Sequence, residues 1–209
     1  MTYTDVSLDD ASEVIELAGF KDLLSIEKLD GGWANSNYIL TLESNEKLVL
    51  KIWNEQSIEE VNYLLNMTKY IVEKDFPTPK PIQYLDGSYI LNKNGLAWTL
   101  LPFIQGNWLD SNHSSLYSLG IIQAKLHIIE PPNNLKKEFS MGYKLFNKLY
   151  NIADENNEWT DFMKFLKNET EELLIKIGSL PKGIIHGDLF SDNVLAINNE
   201  VVTVLDFEE

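Results

Sequence analysis

The sequence predicts an α+β protein, and three features carry that reading. Alternating apolar and polar residues broken by Gly and Asn mark strands from Ile26 to Trp53 and from Ile82 to Leu101. Apolar residues recur at helical spacing near Ser57 to Glu73 and through much of Leu116 to Ile177. A polar loop flanked by two short apolar runs then closes the chain at Glu209. With 209 residues, 44% of them hydrophobic, there is enough apolar surface for one large domain or two small lobes.

Composition removes several function classes. There is no cysteine, so disulfides and thiol chemistry are excluded, and three unclustered histidines do not suggest a zinc site. A net charge of −15 argues against nucleic acid, whose phosphates it would repel, and mildly favours a cationic substrate. The N-terminus lacks a basic segment followed by an apolar one, and no apolar run reaches the length of a membrane span. The expectation is a cytoplasmic protein with no membrane attachment.

Ser7 to Ala18 reads as an amphipathic helix with Leu8, Ala11, Val14, Ile15 and Ala18 on one stripe. Ser7 and Asp10 are placed for a capping box, and Gly19 for the stop. From Ile26 a strand runs into the loop Asp30-Gly31-Gly32-Trp33-Ala34-Asn35-Ser36-Asn37, followed by strands Tyr38 to Leu42 and Leu48 to Trp53 about a Ser44-Asn45 turn. Gly31 and Gly32 have no side chains to keep an anion from their backbone N–H groups, and Asn35, Ser36 and Asn37 add donors. An ordinary Gly- and Asn-rich hairpin is the plainer alternative.

In the third strand Leu48, Leu50 and Ile52 share one face; Val49, Lys51 and Trp53 share the other. A lysine among apolar neighbours needs a route to water or a partner. Lying after a Gly-rich hairpin and before a helix that starts with acids, Lys51 is placed to meet nucleotide phosphates. The helix, about Ser57 to Glu73, buries Ile58, Val61, Leu64, Leu65 and Thr68 and carries Glu59 and Glu60 in its first turn, where acids suit the dipole. Either glutamate is a candidate partner for Lys51.

Pro77, Pro79 and Pro81 then enforce extended backbone. A hairpin of Ile82 to Leu85 and Ser88 to Leu91 is expected about Asp86-Gly87, followed by a strand from Leu96 to Leu101 and a break at Pro102 to Gly106. Leu116 to Ile128 reads as a helix with Leu116, Leu119, Gly120, Gln123, Ala124 and His127 on one stripe, His127 being a packed helix-end histidine. Phe146 to Ala153 and Trp159 to Ile177 read as further helices.

The chemistry concentrates at Gly183 to Glu209. His186 is two residues before Asp188, Asn193 is five after it, and Asp206 follows the next apolar run. Phosphoryl transfer needs a carboxylate beside the attacking hydroxyl and oxygen ligands for magnesium near the leaving phosphate, and this order of residues supplies both. A turn at Asn198-Asn199 would fold Val201 to Leu205 back beside Val194 to Ile197. Asp206 would then stand at the loop end of the hairpin, near Asn193.

His186-Gly187-Asp188-Leu189-Phe190-Ser191-Asp192-Asn193 and Leu205-Asp206-Phe207-Glu208 resemble the aminoglycoside phosphotransferase and choline kinase superfamily, nearest to its homoserine kinase type II branch. The resemblance covers about Ile26 to the end. It implies a bilobal, protein-kinase-like fold: an N-lobe of residues 1–101 with an antiparallel sheet and one helix, a hinge at 102–106, and a mostly helical C-lobe at 107–209 that is short at its C-terminus relative to the family. It further implies ATP and Mg2+ as cofactors and a small-molecule alcohol as acceptor. Asp188 would be catalytic and Asn193 and Asp206 would hold the metal. Lys51 would hold the phosphates and be paired, by the family pattern, with Glu60. Gly31 to Asn37 would form the phosphate loop, the backbone of Leu101, Phe103 and Ile104 would meet adenine, and His186 would brace the loop. Homoserine is the most specific acceptor suggested; choline, ethanolamine or an aminoglycoside is the alternative. A nucleotide-binding module without turnover is the alternative of another class. A protein kinase is disfavoured by Glu208 where Gly is expected.

Overall fold

The computed structural model describes residues 3–29, 34–136, 142–177 and 181–207. They divide into two compact units, one of residues 1–126 with 189–208 and the other of residues 127–188.

The first unit begins with helix α1 (Leu8–Leu17). Ser7 and Asp10 form the expected capping box, and Ala11, Val14 and Ile15 are buried. Strands β1 (Leu23–Lys28), β2 (Asn35–Leu42) and β3 (Lys47–Trp53) follow, then helix α2 (Ile58–Val72) and strands β4 (Leu91–Lys93) and β5 (Leu96–Pro102). They make one antiparallel sheet in the order β1-β2-β3-β5-β4. The alternation read in β3 sorts its two faces. Leu48, Leu50 and Ile52 join α1 in one apolar cluster, while Trp53 packs with Val61, Leu64 and Leu65 of α2 in another. The central strand is therefore buried on both sides, and Lys51 shares the parity of Trp53, the α2 side.

Two expectations here need correction. Strand β2 begins at Asn35, three residues before the predicted start, so Asn35 to Asn37 are strand residues and not loop. The hairpin expected about Asp86-Gly87 is only a tight turn, with Tyr84 N–H donating to Ser88 O and Gly87 N–H to Tyr84 O; beyond it Ile82 makes a single bridge to Leu100. The real hairpin joins β4 and β5 about Asn94-Gly95, both at positive φ (55° and 81°). Asn-Gly suits the two-residue turn whose twist matches paired strands, and Ile82 N–H is taken by Leu100 O instead.

A second sheet of the same unit has the order β6-β7-β8, from Asn107–Trp108, Val194–Ile197 and Glu200–Val204. Helix α3 (His113–Ile128) packs Leu119 toward it, in a cluster with Leu109, Val194 and Ala196. The buried residues of α3 are Ser115, Ile122 and Leu126, while Leu116, Gly120, Gln123, Ala124 and His127 are exposed. Of the stripe expected for this helix, Leu119 packs and the other residues are exposed. Apolar residues occur on both faces, with Leu116, Tyr117 and Ile121 outside, so spacing alone did not select the packed side.

In the second unit, helices α4 (Tyr143–Asn156) and α5 (Asp161–Ile177) replace the shorter Phe146–Ala153 and the earlier start at Trp159. Asn157 ends α4 in the left-handed conformation, and Tyr150 stacks on Trp159 at 5.6 Å. Among the described residues, no helix is long and apolar enough to cross a membrane.

Candidate active site

In the first unit the central relationship is an ion pair. Lys51 Nζ lies 2.8 Å from Asp206 Oδ1. Pairing of β3 with β2 and β5 places Lys51 opposite Asn37 and Thr99, and its side chain is buried. Trp53, two residues on, lies beneath the ammonium, 4.5 Å from Nζ to the ring centroid. Its indole N–H donates to Thr99 Oγ1, whose hydroxyl donates to Lys51 O, so Thr99 ties the strand at Lys51 and Trp53 to its neighbour. A cavity of about 60 Å³ opens beside the pair, lined among others by Leu64, Thr68, Thr99, Leu101 and Phe207.

Asp206 is delivered by the β7–β8 hairpin. The turn at Asn198 and Asn199 forms as read, both residues at positive φ. Val194 pairs with Val204, and Leu205 N–H donates to Asn193 O at 2.8 Å, so Asp206 follows directly on the residue bonded to Asn193. Asn193 itself ends a 3₁₀ turn, Ser191–Asn193. Asp206 has φ 58°, a conformation that Asp tolerates better than most residues. Phe207 meets Phe76 edge to face at 5.6 Å, and Pro77 O accepts from Val204 N–H at 2.8 Å. These contacts anchor the Asp206 segment to Phe76 and Pro77, in the stretch that follows α2, a link that no local spacing in the sequence announces.

Glu60 is the N3 residue of α2, and its carboxylate accepts from Ser57 N–H at 2.8 Å and from the Ser57 hydroxyl at 2.9 Å. The structure thus shows Glu60 in a capping box and Lys51 on Asp206. The anchors on Phe76 and Pro77 are the residues missed by reading the sequence.

The predicted phosphate-loop residues divide. Gly31 and Gly32 lie outside the described residues. Asn35 and Ser36 are buried. Asn35 Oδ1 accepts from Asn54 N–H, and Ser36 Oγ accepts from Thr4 N–H at 2.8 Å and from Asn54 Nδ2 at 2.9 Å. Asn37 uses its backbone on the Tyr3 hydroxyl. These polar groups fasten the N-terminal segment to the sheet. At the predicted hinge, Leu101 lines the cavity beside Lys51, and Phe103 N–H donates to Lys47 O at 3.3 Å. Ile104 is half-buried. Gly106 is required there: a Cβ would stand 2.9 Å from Leu195 Cβ of β7.

In the second unit, His186 is buried and its Nδ1 accepts from Asp188 N–H at 3.3 Å. That bond needs an unprotonated Nδ1, so the imidazole shapes the loop while the Asp188 side chain is exposed. Gly187 between them has φ 89°, which explains a glycine at this place.

The donor set suits a hard cation. Asn193 and Asp206 offer one amide and one carboxylate oxygen, and magnesium favours few protein oxygens with the remainder from water and phosphate. Among the described residues no group of three or more His, Cys, Asp or Glu is gathered that could hold a metal ion.

Homoserine kinase of Methylobacillus flagellatus is 28% identical over 215 residues, covering 98% of this chain and 64% of that protein. The chain therefore spans about 64% of the length of this curated relative. Spectinomycin phosphotransferase APH(9)-Ia, solved with ADP and spectinomycin, superposes with a TM-score of 0.71 at 16% identity, over 98% of this chain and 69% of the other. Amicoumacin kinase, solved with AMP-PNP, Ca2+ and its substrate, gives 0.65 at 17% identity, over 95% and 64%. The protein-kinase-like α+β fold is that of these phosphotransferases. With residues 25–209 matching its model, the chain belongs to the phosphotransferase enzyme family.

Proposed function

We propose that this chain carries the nucleotide and metal machinery of an ATP-dependent kinase for a small-molecule hydroxyl, with homoserine or a related amino alcohol as acceptor. The observation that carries the reading is the Lys51–Asp206 pair, with Asn193 bonded to the residue before Asp206. It joins the two groups that phosphoryl transfer requires, a cation for the phosphates and a carboxylate for the metal. The homoserine kinase relative favours the acceptor; choline, ethanolamine or an aminoglycoside is the alternative within the class.

In this reading residues 1–101 hold the nucleotide, 102–106 form the hinge, and 107–209 carry the catalytic loop. Lys51 would hold the α- and β-phosphates, and Asn193 and Asp206 would hold the cation. Bound there, magnesium supplies charge neutralisation at the phosphate oxygens. Asp188 accepts or orients the proton of the acceptor hydroxyl, an ionised carboxylate being sufficient for a loose transition state. A cytoplasmic site of action goes with the use of ATP.

The test is acceptor-dependent ADP release across a panel of amino alcohols, choline and aminoglycosides. Release with homoserine alone supports the full reading. Release with another alcohol keeps the kinase and replaces the acceptor. Nucleotide binding without any acceptor-dependent release would leave a nucleotide-binding module and overturn the kinase reading for this chain.

A further inference from the structure

The β7–β8 hairpin carries one more residue on its second strand than on its first. Ile197 faces Glu200 and Ala196 faces Val201, but Leu195 faces Thr203, so Val202 has no opposite residue. Continued straight from the turn, the pairing would set Asn193 against Val204. With the bulge, Val194 faces Val204 and Asn193 bonds to Leu205. One inserted residue therefore decides whether Asp206 follows directly on the partner of Asn193. A slip of one position would also turn the strand's side chains to the opposite face.

Contacts on both sides hold the bulge in place. Before it, Ser118 Oγ of α3 accepts from Val201 N–H at 2.9 Å. At the turn, Asn199 Oδ1 accepts from Asn112 Nδ2 at 2.8 Å and from the buried Ser115 hydroxyl at 3.2 Å. After it, Pro77 O receives Val204 N–H at 2.8 Å and the Thr203 hydroxyl at 3.4 Å. Ser115 and Ser118 of α3's first turns, with Asn112 just before the helix, thus meet the closed end of the hairpin whose open end bears Asn193 and Asp206.

We propose that Ser115, Ser118 and Asn199 are positioning residues that lock the bulged register, and through it the spacing of the two cation ligands. The lock is a matter of geometry; its link to cation affinity rests on the function proposed above. Ser118→Ala combined with Asn199→Gly removes the hydroxyl and the amide while leaving a residue that accepts positive φ at the turn. Two quantities are read: hydrogen exchange at the Leu205 amide, and Mn2+ affinity measured by electron paramagnetic resonance with AMP-PNP present. The expected result is exchange at Leu205 faster by about five- to tenfold with the Leu50 amide unchanged, and Mn2+ affinity lower by about tenfold. Ser118→Thr with Asn199→Asp, which keeps a hydroxyl and an acceptor oxygen, should restore both. Unchanged exchange at Leu205, or wild-type Mn2+ affinity in the double variant, overturns the proposal, as does failure of the conservative pair to restore. If the unmutated protein binds no Mn2+, the cation reading fails by itself. Leu205 exchange then decides the lock: faster exchange restored by the conservative pair upholds it, and unchanged exchange overturns it.

Discussion

Lys51 and Asp206, 155 positions apart in the chain, meet at 2.8 Å, and only the lysine is sheltered: its side chain is 6% exposed against 48% for the aspartate. The asymmetry matters because a buried ammonium cannot be left to water, whereas a half-exposed carboxylate is free to turn toward another cation. Asp206→Ala should therefore lower stability, by about 1–3 kcal/mol. Lys51→Ala should weaken MgATP binding, since the position loses its only phosphate-seeking charge. Calorimetric titration with MgATP checks the second point, and unchanged affinity would remove Lys51 from the site.

Asp188 makes the contrasting case. Its side chain is exposed, and its contact with His186 is through the backbone N–H, which any residue here retains. Asp188→Asn should leave the melting temperature within a degree or two and reduce transfer by at least about 100-fold. His186→Ala should do the reverse in part, loosening the loop and lowering stability through loss of a buried ring. Parallel melting and turnover measurements separate the two roles.

Much of this was legible before any coordinates. The capping box of α1 depends on residues three apart, and the Asn198-Asn199 turn on two adjacent ones. Such signals are local, and they appeared where expected. What was not legible depends on distant contacts. The Asp86-Gly87 turn is real, but Asn94-Gly95 was overlooked as the one that pairs strands. Ser36 looks like a phosphate donor until it is seen fully buried, its Oγ accepting from Thr4 and Asn54. The packing of Leu119 depends on the β6-β7-β8 sheet, which the sequence of α3 does not encode.

Acid should test the link between α1 and β4. Lys93 Nζ lies 2.6 Å from Asp10 and also contacts Glu13. The lysine ammonium, with help from Ser7, holds the Asp10 carboxyl at about 2, below its ordinary 3.8. A carboxylate depressed in the folded state contributes stability that is fully present above its unfolded pKa and is lost as pH falls through the folded one. The contribution from Asp10 should thus persist above about pH 4 and fade between about 4 and 2. Lys93 is shifted upward by Asp10 and then Glu13, so its share is complete below its ordinary value and is lost only in stronger alkali. Asp10→Asn should flatten the melting temperature between about pH 4 and 2 relative to the unmutated chain. An unchanged slope would show that the pair contributes nothing.

Gly183 offers a prediction of a different kind, because no turn or positive φ marks it. A Cβ on this residue would lie 2.6 Å from the His127 carbonyl oxygen and 3.4 Å from its carbon and Cα. The obstacle is backbone at the end of α3, which cannot rotate aside as a side chain would. Gly183 begins the segment that leads through buried Ile184 to buried His186, so displacement would travel to the loop holding Asp188. Gly183→Ala should cost about 1–3 kcal/mol, the range for forcing extra atoms into a filled site. It should also speed hydrogen exchange at the Asp188 amide, whose bond to His186 Nδ1 depends on that path. Gly120, with nothing within 4 Å of its would-be Cβ on an exposed face of the same helix, is the control. Gly120→Ala should leave stability equal or raise it by up to about 1 kcal/mol, as removal of a helical glycine does. Equal melting temperatures for the two variants would mean that the close approach at His127 exerts no constraint on the Asp188 loop.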